Sequence, residues 1–179
     1  MTSIESLTLE VPDATAANAF YTAAFGLDNQ VALRASDAPT TGFRGFTLSL
    51  VVSQPATVDG LIGAALDAGA TPLKPAKKGF WGYGGVVRAP DGTIWKVATS
   101  SKKNTGPATQ EIDEIALLLG VGDFAASKRF YVDRGLEVGA PVADVGAQAE
   151  VADHVARASC RDCASSVPSG AQRLPSSSK

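Results

Sequence analysis

"GFWGYGGVVRAPDGTIWKVATS", residues 79–100, sets an Asp91-Gly92 pair between two runs of β-forming residues, "YGGVVRA" (83–89) and "TIWKVATS" (93–100). An Asp-Gly pair supplies the positive φ that a tight turn needs, so the stretch predicts a β-hairpin with Asp91 assigned to its turn. In the second run Trp95 and Val97 alternate with Ile94, Lys96 and Ala98, which puts the indole on one face and Lys96 on the other. Core packing is the expectation for Trp95. Trp81 and Tyr83, at the start of the first run, are large amphipathic rings suited to stacking on a flat ligand. Gly82, Gly84 and Gly85 beside them permit a bulge or the close approach of a neighbouring backbone.

Upstream, "SLTLEV" (6–11) alternates apolar and polar residues as a half-buried strand does. Asp13 follows as a helix N-cap, and Ala17, Phe20, Tyr21, Ala24 and Phe25 recur at helical spacing until Gly26 stops the run. "GFRGFTLSLVVS" (42–53) is again rich in β-formers. Thr57 is the expected cap of a second helix, whose Val58, Leu61, Ile62, Ala65 and Leu66 form one apolar face before Gly69. The first hundred residues thus predict strand, helix, two strands, helix and a closing hairpin.

A hydrophilic stretch rich in Ser, Lys, Gly and Pro, 101–110, has the composition of a linker. Beyond it the opening pattern returns. "EIDEIALLLGVGDFAASKRFYVDRGLEVG" (111–139) repeats an apolar strand, an Asp cap at Asp123, Phe130-Tyr131 opposite Phe20-Tyr21, and Gly135-Leu136 opposite Gly26-Leu27. Its leucine-rich strand must be buried against the preceding sheet or a neighbouring chain. Residues 140–179 keep no sustained period, so that tail is expected to be unfolded or locally helical near 147–158.

The formal net charge is −2 and no basic stripe carries interleaved aromatics, which argues against nucleic acid as a partner. No secretory leader and no window of about 18 apolar residues appears, so no membrane partner and a cytoplasmic location are expected. Cys160 and Cys163 share one short segment, which is no disulfide framework. With His154 the single histidine, neither a structural zinc site nor a Ser-His-Asp arrangement is supported.

The "FY…FGL" helix end, the repeat and "GFWGYGGVVRAPDGTIWKV" together resemble the vicinal oxygen chelate superfamily, which contains glyoxalase I, bleomycin- and fosfomycin-resistance proteins and extradiol dioxygenases. The resemblance implies an α+β fold in which βαβββ modules curl into an open sheet around a ligand. Residues 1–100 would be a first module, 101–110 a linker, 111–139 a partial second module and 140–179 a disordered or aberrant tail. It also implies where a metal would sit: metal-binding members place a histidine where this chain has Ser6 and a carboxylate where it has Lys96. A serine hydroxyl is a poor ligand for such ions, and an ammonium has no lone pair to give. Glu114 falls opposite Ser6 in the repeat, and one carboxylate does not make a site.

The expectation is therefore a protein without metal or cofactor that binds a small organic molecule, with Trp81, Tyr83, Ser6 and Lys96 as ligand-binding residues and no catalytic residue identified. The alternatives are a lyase or dioxygenase of the same family, or a truncated, frame-shifted copy without activity. The half-completed sheet allows a homodimer.

Overall fold

The computed structural model describes residues 7–27, 30–37, 44–80 and 82–136, and the backbone of 154–160. In chain order its elements are β1 (Leu7–Val11), α1 (Ala14–Phe25), β2 (Val31–Ala35), β3 (Phe46–Val51), α2 (Pro55–Asp67) and β4 (Thr71–Gly79). Then follow β5 (Gly82–Arg88), β6 (Ile94–Thr99), β7 (Glu114–Val121), α3 (Phe124–Val132) and β8 (His154–Cys160). The strand-helix order expected for the first hundred residues is observed with one addition, the strand β4 between α2 and the β5–β6 hairpin, which the sequence reading did not include.

The strands form two sheets. β1 and β2 make a parallel pair, while the larger sheet runs β4-β5-β6-β3-β7-β8. Within it only the central β3–β6 pairing is parallel; the other four are antiparallel. Residues 7–99 thus hold a short β1-α1-β2 unit and a complete βαβββ unit, β3-α2-β4-β5-β6. The result is an α+β architecture with an open, mostly antiparallel sheet.

The core lies where both helices meet one face of the larger sheet. Asp13 caps α1 as expected, its carboxylate accepting from Thr15 N and Ala16 N at 2.9 Å each, and Gly26 closes the helix at φ 66°. That cap sets the helix so that Ala17, Phe20, Tyr21, Ala24 and Phe25 are buried together. Their target is Trp95, which is fully buried and lies with its ring centroid 5.3 Å from Tyr21 and 5.1 Å from Phe25. Leu48, Leu50, Val87 and Val97 complete the sheet side of this core.

The Asp91-Gly92 turn is tied into the same core. Asp91 Oδ1 accepts from Thr93 N at 2.9 Å, the local bond of an Asx turn, and Oδ2 accepts from the Tyr21 hydroxyl at 2.5 Å. One carboxylate therefore shapes the hairpin and anchors α1 to it. Burial of the phenol, followed by the Asp91 charge and the hydrogen bond to it, pushes the Tyr21 pKa far above its ordinary value.

The helix α2 begins earlier than expected, at Pro55 after Gln54. Thr57 is not its N-cap: it lies inside the first turn, fully buried, and its hydroxyl accepts from Thr109 N at 3.3 Å. The stretch 101–110 likewise differs from a bare linker, because it crosses over the start of α2 and is bonded to it. Gln54 Oε1 accepts from Thr105 N at 2.7 Å and Gly106 N at 3.0 Å, while its Nε2 donates to Pro107 O at 2.6 Å. Asn104 Oδ1 accepts from Ala56 N at 2.8 Å and so supplies from outside the helix the cap that α2 lacks in its own sequence. Gln54 is nearly fully buried, so it acts as a side-chain clamp.

From this strap the chain enters β7, which pairs antiparallel with β3 from Val51↔Glu114 to Phe46↔Leu119. The leucine-rich strand of the repeat thus joins the preceding sheet. The repeat holds to backbone detail: Asp123 has φ −131° and ψ 104°, beside −133° and 105° for Asp13, and it accepts from Ala126 N. What differs is burial. No residue of α3 is buried, and Phe130 is 49% exposed with the Arg134 guanidinium stacked over its ring. A further correction concerns the tail of 140–179: instead of a purely unfolded or helical stretch it contains β8, whose residues 154–160 pair with β7 from Ile115↔Cys160 to Val121↔His154.

Two measurements check this description. Replacing Gln54 by Ala leaves two amide donors and a carbonyl without partners, so stability to urea should fall by about 2–4 kcal/mol, and amide exchange should quicken in β7 more than in β5. Tyr21 holds its proton in the folded state at a pH where the unfolded chain has lost it, so its contribution is complete below about pH 10 and declines above. The difference in stability between wild type and Tyr21→Phe should therefore shrink above about pH 10, by up to roughly 1.4 kcal/mol per pH unit. A difference independent of pH from 8 to 11 would contradict that assignment.

Candidate functional site

Strand register divides the candidate residues between two faces of the sheet. Side chains directly opposite one another in paired strands share a face, so the pairings Lys74↔Val86, Val86↔Lys96, Lys96↔Ser49 and Ser49↔Ala116 define one transverse row. This row lies on the face opposite α1 and α2, since the alternate residues Trp95, Val97, Leu48 and Leu50 pack into the helix-covered core. Val86, Ser49 and Ala116 are buried, whereas Lys74 and Lys96 are half-buried. The neighbouring row on the same face is Lys77, Gly84, Ala98, Val51 and Glu114.

Tyr83 belongs to the other face. It pairs with Thr99 and packs against the helix-side core, and its hydroxyl donates to Asp59 Oδ1 on α2 at 2.8 Å. That hydrogen bond, then partial burial and the Asp59 charge, raise the Tyr83 pKa. The phenol braces the hairpin on α2. Tyr83 and Lys96, both read from sequence as ligand residues, are therefore not brought together. Trp81 and Ser6 lie outside the described residues.

The glycines around Tyr83 act as backbone spacers. A β-carbon on Gly82 would come within 2.0 Å of Thr99 O, and one on Gly84 within 2.8 Å of Val97 O, so β5 can lie this close to β6 only without side chains there. Gly82 also has φ 145°, a conformation that L side chains rarely adopt. At Gly85 a β-carbon would meet Ala76 N at 3.0 Å, and the register of β4 shifts across that position, between Lys74 and Lys77.

The fit of a metal can be tested on these positions. Lys96 stands in mid-β6 with an ammonium where a carboxylate would be needed, and no group of three or more His, Cys, Asp or Glu among the described residues could hold an ion. Glu114 lies in β7, beyond β3 from Ala98, and supplies one carboxylate to the face. The described residues do not fit a divalent metal, and no metal-dependent step is derived. Sequence reasoning missed Ser49 and Lys74 on this face. The alternation of Thr47 and Ser49 with Leu48 and Leu50 could have exposed the first; the irregular β4 gave no such signal for the second.

No family model matches the sequence, and no curated protein does. Solved structures do match. A glyoxalase/bleomycin resistance protein/dioxygenase family enzyme from Burkholderia phytofirmans PsJN is 21% identical, with a TM-score of 0.50, over 55% of this chain and 99% of that one. A glyoxalase-related enzyme from Fulvimarina pelagi is 24% identical with a TM-score of 0.46, over 55% and 88% of the two chains. The fosfomycin resistance protein FosX from Listeria monocytogenes is 13% identical with a TM-score of 0.48, over 55% and 93%. Nearly the whole of the Burkholderia structure is thus accommodated in little more than half of this chain. Over that share the chain has the α+β fold of the Burkholderia glyoxalase/bleomycin resistance protein/dioxygenase family structure.

Proposed function

We propose that this chain is a cytoplasmic protein that binds a small organic molecule, without a metal, on the sheet face turned away from α1 and α2, with Lys96 at its centre. The observation that supports this reading is the row Lys74, Val86, Lys96, Ser49: a half-buried lysine in register with a buried valine and a buried serine, on the face opposite α1 and α2. Such a mixture of apolar floor and few polar groups is what orients a small ligand. The ammonium offers three hydrogen-bond donors and strengthens its bonds through charge. Fold likeness alone would not select among the chemistries this fold hosts, so the residues decide. Their chemistry supports binding, and among the described residues no group of three or more His, Cys, Asp or Glu could hold a metal ion.

The test is to map amide shifts while titrating a panel of aromatic, glycosylated and acidic small molecules. Shifts should centre on Val86, Lys96 and Ser49, and Lys96→Met should weaken binding by about tenfold or more, the cost of losing a charge-assisted hydrogen bond. Tyr83→Phe, on the other face, should leave affinity unchanged. Shifts confined to α2 and Tyr83, or indifference to Lys96→Met, would refute the reading.

A further inference from the structure

The strands β4 and β5 are joined by a very short turn. Gly79 pairs with Gly82, so the loop between them consists of Phe80 and Trp81 alone. Two-residue loops favour Asn, Asp and Gly, which reach the positive φ such turns need, and two bulky aromatic residues run against that preference. The fold buries little of the first ring: Phe80 is 82% exposed, the most exposed of the large hydrophobic residues described. A local rule broken without burial in return is where a functional role is expected.

Lysines surround this tip. Lys77 and Lys78 precede it, both exposed and, as successive residues of a strand, on opposite faces of the hairpin. Tyr83, the partner of Lys78, pairs in turn with Thr99 at the end of β6, and the exposed Lys102 and Lys103 follow shortly after. A turn holds that segment in place: Ser101 N donates to Thr99 Oγ1 at 3.1 Å, and Ser101 Oγ donates to Lys103 O at 2.7 Å. Acidic groups are sparse at this end. From Ala68 to Gln110 only Asp91 is acidic, and it lies in the turn at the other end of β5. Asp59 is near and is engaged by the Tyr83 hydroxyl at 2.8 Å. Glu114 closes the strand row that Lys77 begins, four strand spacings or about 19 Å away, against a screening length of about 8 Å at physiological salt. The whole chain has a formal net charge of −2, so this positive patch is local.

Edge lysines keep an exposed strand from pairing with other chains, and that explains Lys77 and Lys78 on the edge strand β4. It explains neither Lys102 and Lys103, which lie outside the sheet, nor the aromatic turn. We infer that this tip docks the protein on an anionic lipid surface: Phe80 and Trp81 enter the headgroup layer while Lys77, Lys78, Lys102 and Lys103 lie against the acidic headgroups. The inference is independent of the binding face proposed above. Aromatic side chains favour the membrane–water interface, and each lysine brought near an anionic leaflet strengthens attachment by about fivefold. The same charge would suit an acidic protein, but the composition favours lipid. Protein interfaces are enriched in Arg and depleted in Lys, whereas a fluid surface needs no shaped pocket to take a protruding turn. The expectation of no membrane partner rested on the lack of a spanning window, which a surface contact does not need.

The experiment sediments the full chain with vesicles of phosphatidylcholine, alone or mixed with phosphatidylserine, at low and at physiological salt. Association should require phosphatidylserine and weaken as salt rises. Lys78→Gln and Lys102→Gln should each loosen it by about fivefold, and Phe80→Ser by about tenfold, the loss of one ring buried in the interface. Lys128→Gln and Phe130→Ser, exposed on α3, are the controls and should change nothing, with thermal melting as the check that each variant folds. Because Trp95 is already buried, a blue shift of tryptophan emission on adding vesicles should come from Trp81 and vanish in Trp81→Ser. No association with phosphatidylserine vesicles at low salt, or equal losses in the α3 controls, overturns the inference. Association that the lysine variants weaken but Phe80→Ser and Trp81→Ser leave intact, without an emission shift, assigns the patch to an acidic protein and overturns it as well.

Discussion

The indole of Trp95, closed in between Tyr21 and Phe25, is the contact on which the arrangement of the described residues depends. It is the meeting point of two units that share no strand pairing, β1-α1-β2 on one side and the six-stranded sheet on the other. With no ladder to join them, side-chain burial must hold α1 on the sheet, and large rings bury the most area per residue. The Tyr21 hydroxyl then fixes the orientation of that contact through Asp91, the residue that also shapes the β5–β6 turn. Helix, hairpin and core are therefore set by one cluster.

A second constraint governs how the repeat is joined. Gln54, buried at the start of α2, bonds to three successive residues of the strap, and this brings β7 to β3 in a single register. The two copies of the strand-helix pattern share the same N-cap geometry, and in each the leucine after the closing glycine donates to the tyrosine carbonyl, across six residues from Leu27 N to Tyr21 O and across five from Leu136 N to Tyr131 O. Their fates diverge because local structure and burial have different causes. Tyr21 and Phe25 meet Trp95, whereas the corresponding helix α3 buries none of its residues.

The make-up of the face opposite α1 and α2 follows from the same architecture. By committing Trp95 and Tyr83 to the helix side, the hairpin leaves Lys96, Val86 and the small pair Gly84 and Ala98 for the opposite face. The aromatic end of the hairpin looks, in sequence, like the natural place for a ligand. In the folded chain the phenol of Tyr83 is occupied by Asp59, and Lys96 stands on the opposite face in register with Val86 and Lys74.

The sequence by itself determined the elements whose causes are local: the capped helix after Asp13, its copy after Asp123, the Asp91-Gly92 turn and the alternation that sends Trp95 inward. Each of these follows from short-range sterics and hydrogen bonding, which neighbouring residues fully specify. The resemblance carried by the hairpin and the helix end also led to the fold shared with the solved structures. Only the tertiary structure decided the rest. That Thr57 receives a strap amide rather than capping a helix, that 101–110 is clamped by Gln54, and that 154–160 pairs with β7 all depend on partners about fifty residues or a whole element away. The same holds for the face. Whether Lys74, Lys96 and Ser49 stand in one row and Tyr83 behind it is a matter of strand register, and register is set by the packing of the whole sheet rather than by the residues along any one strand.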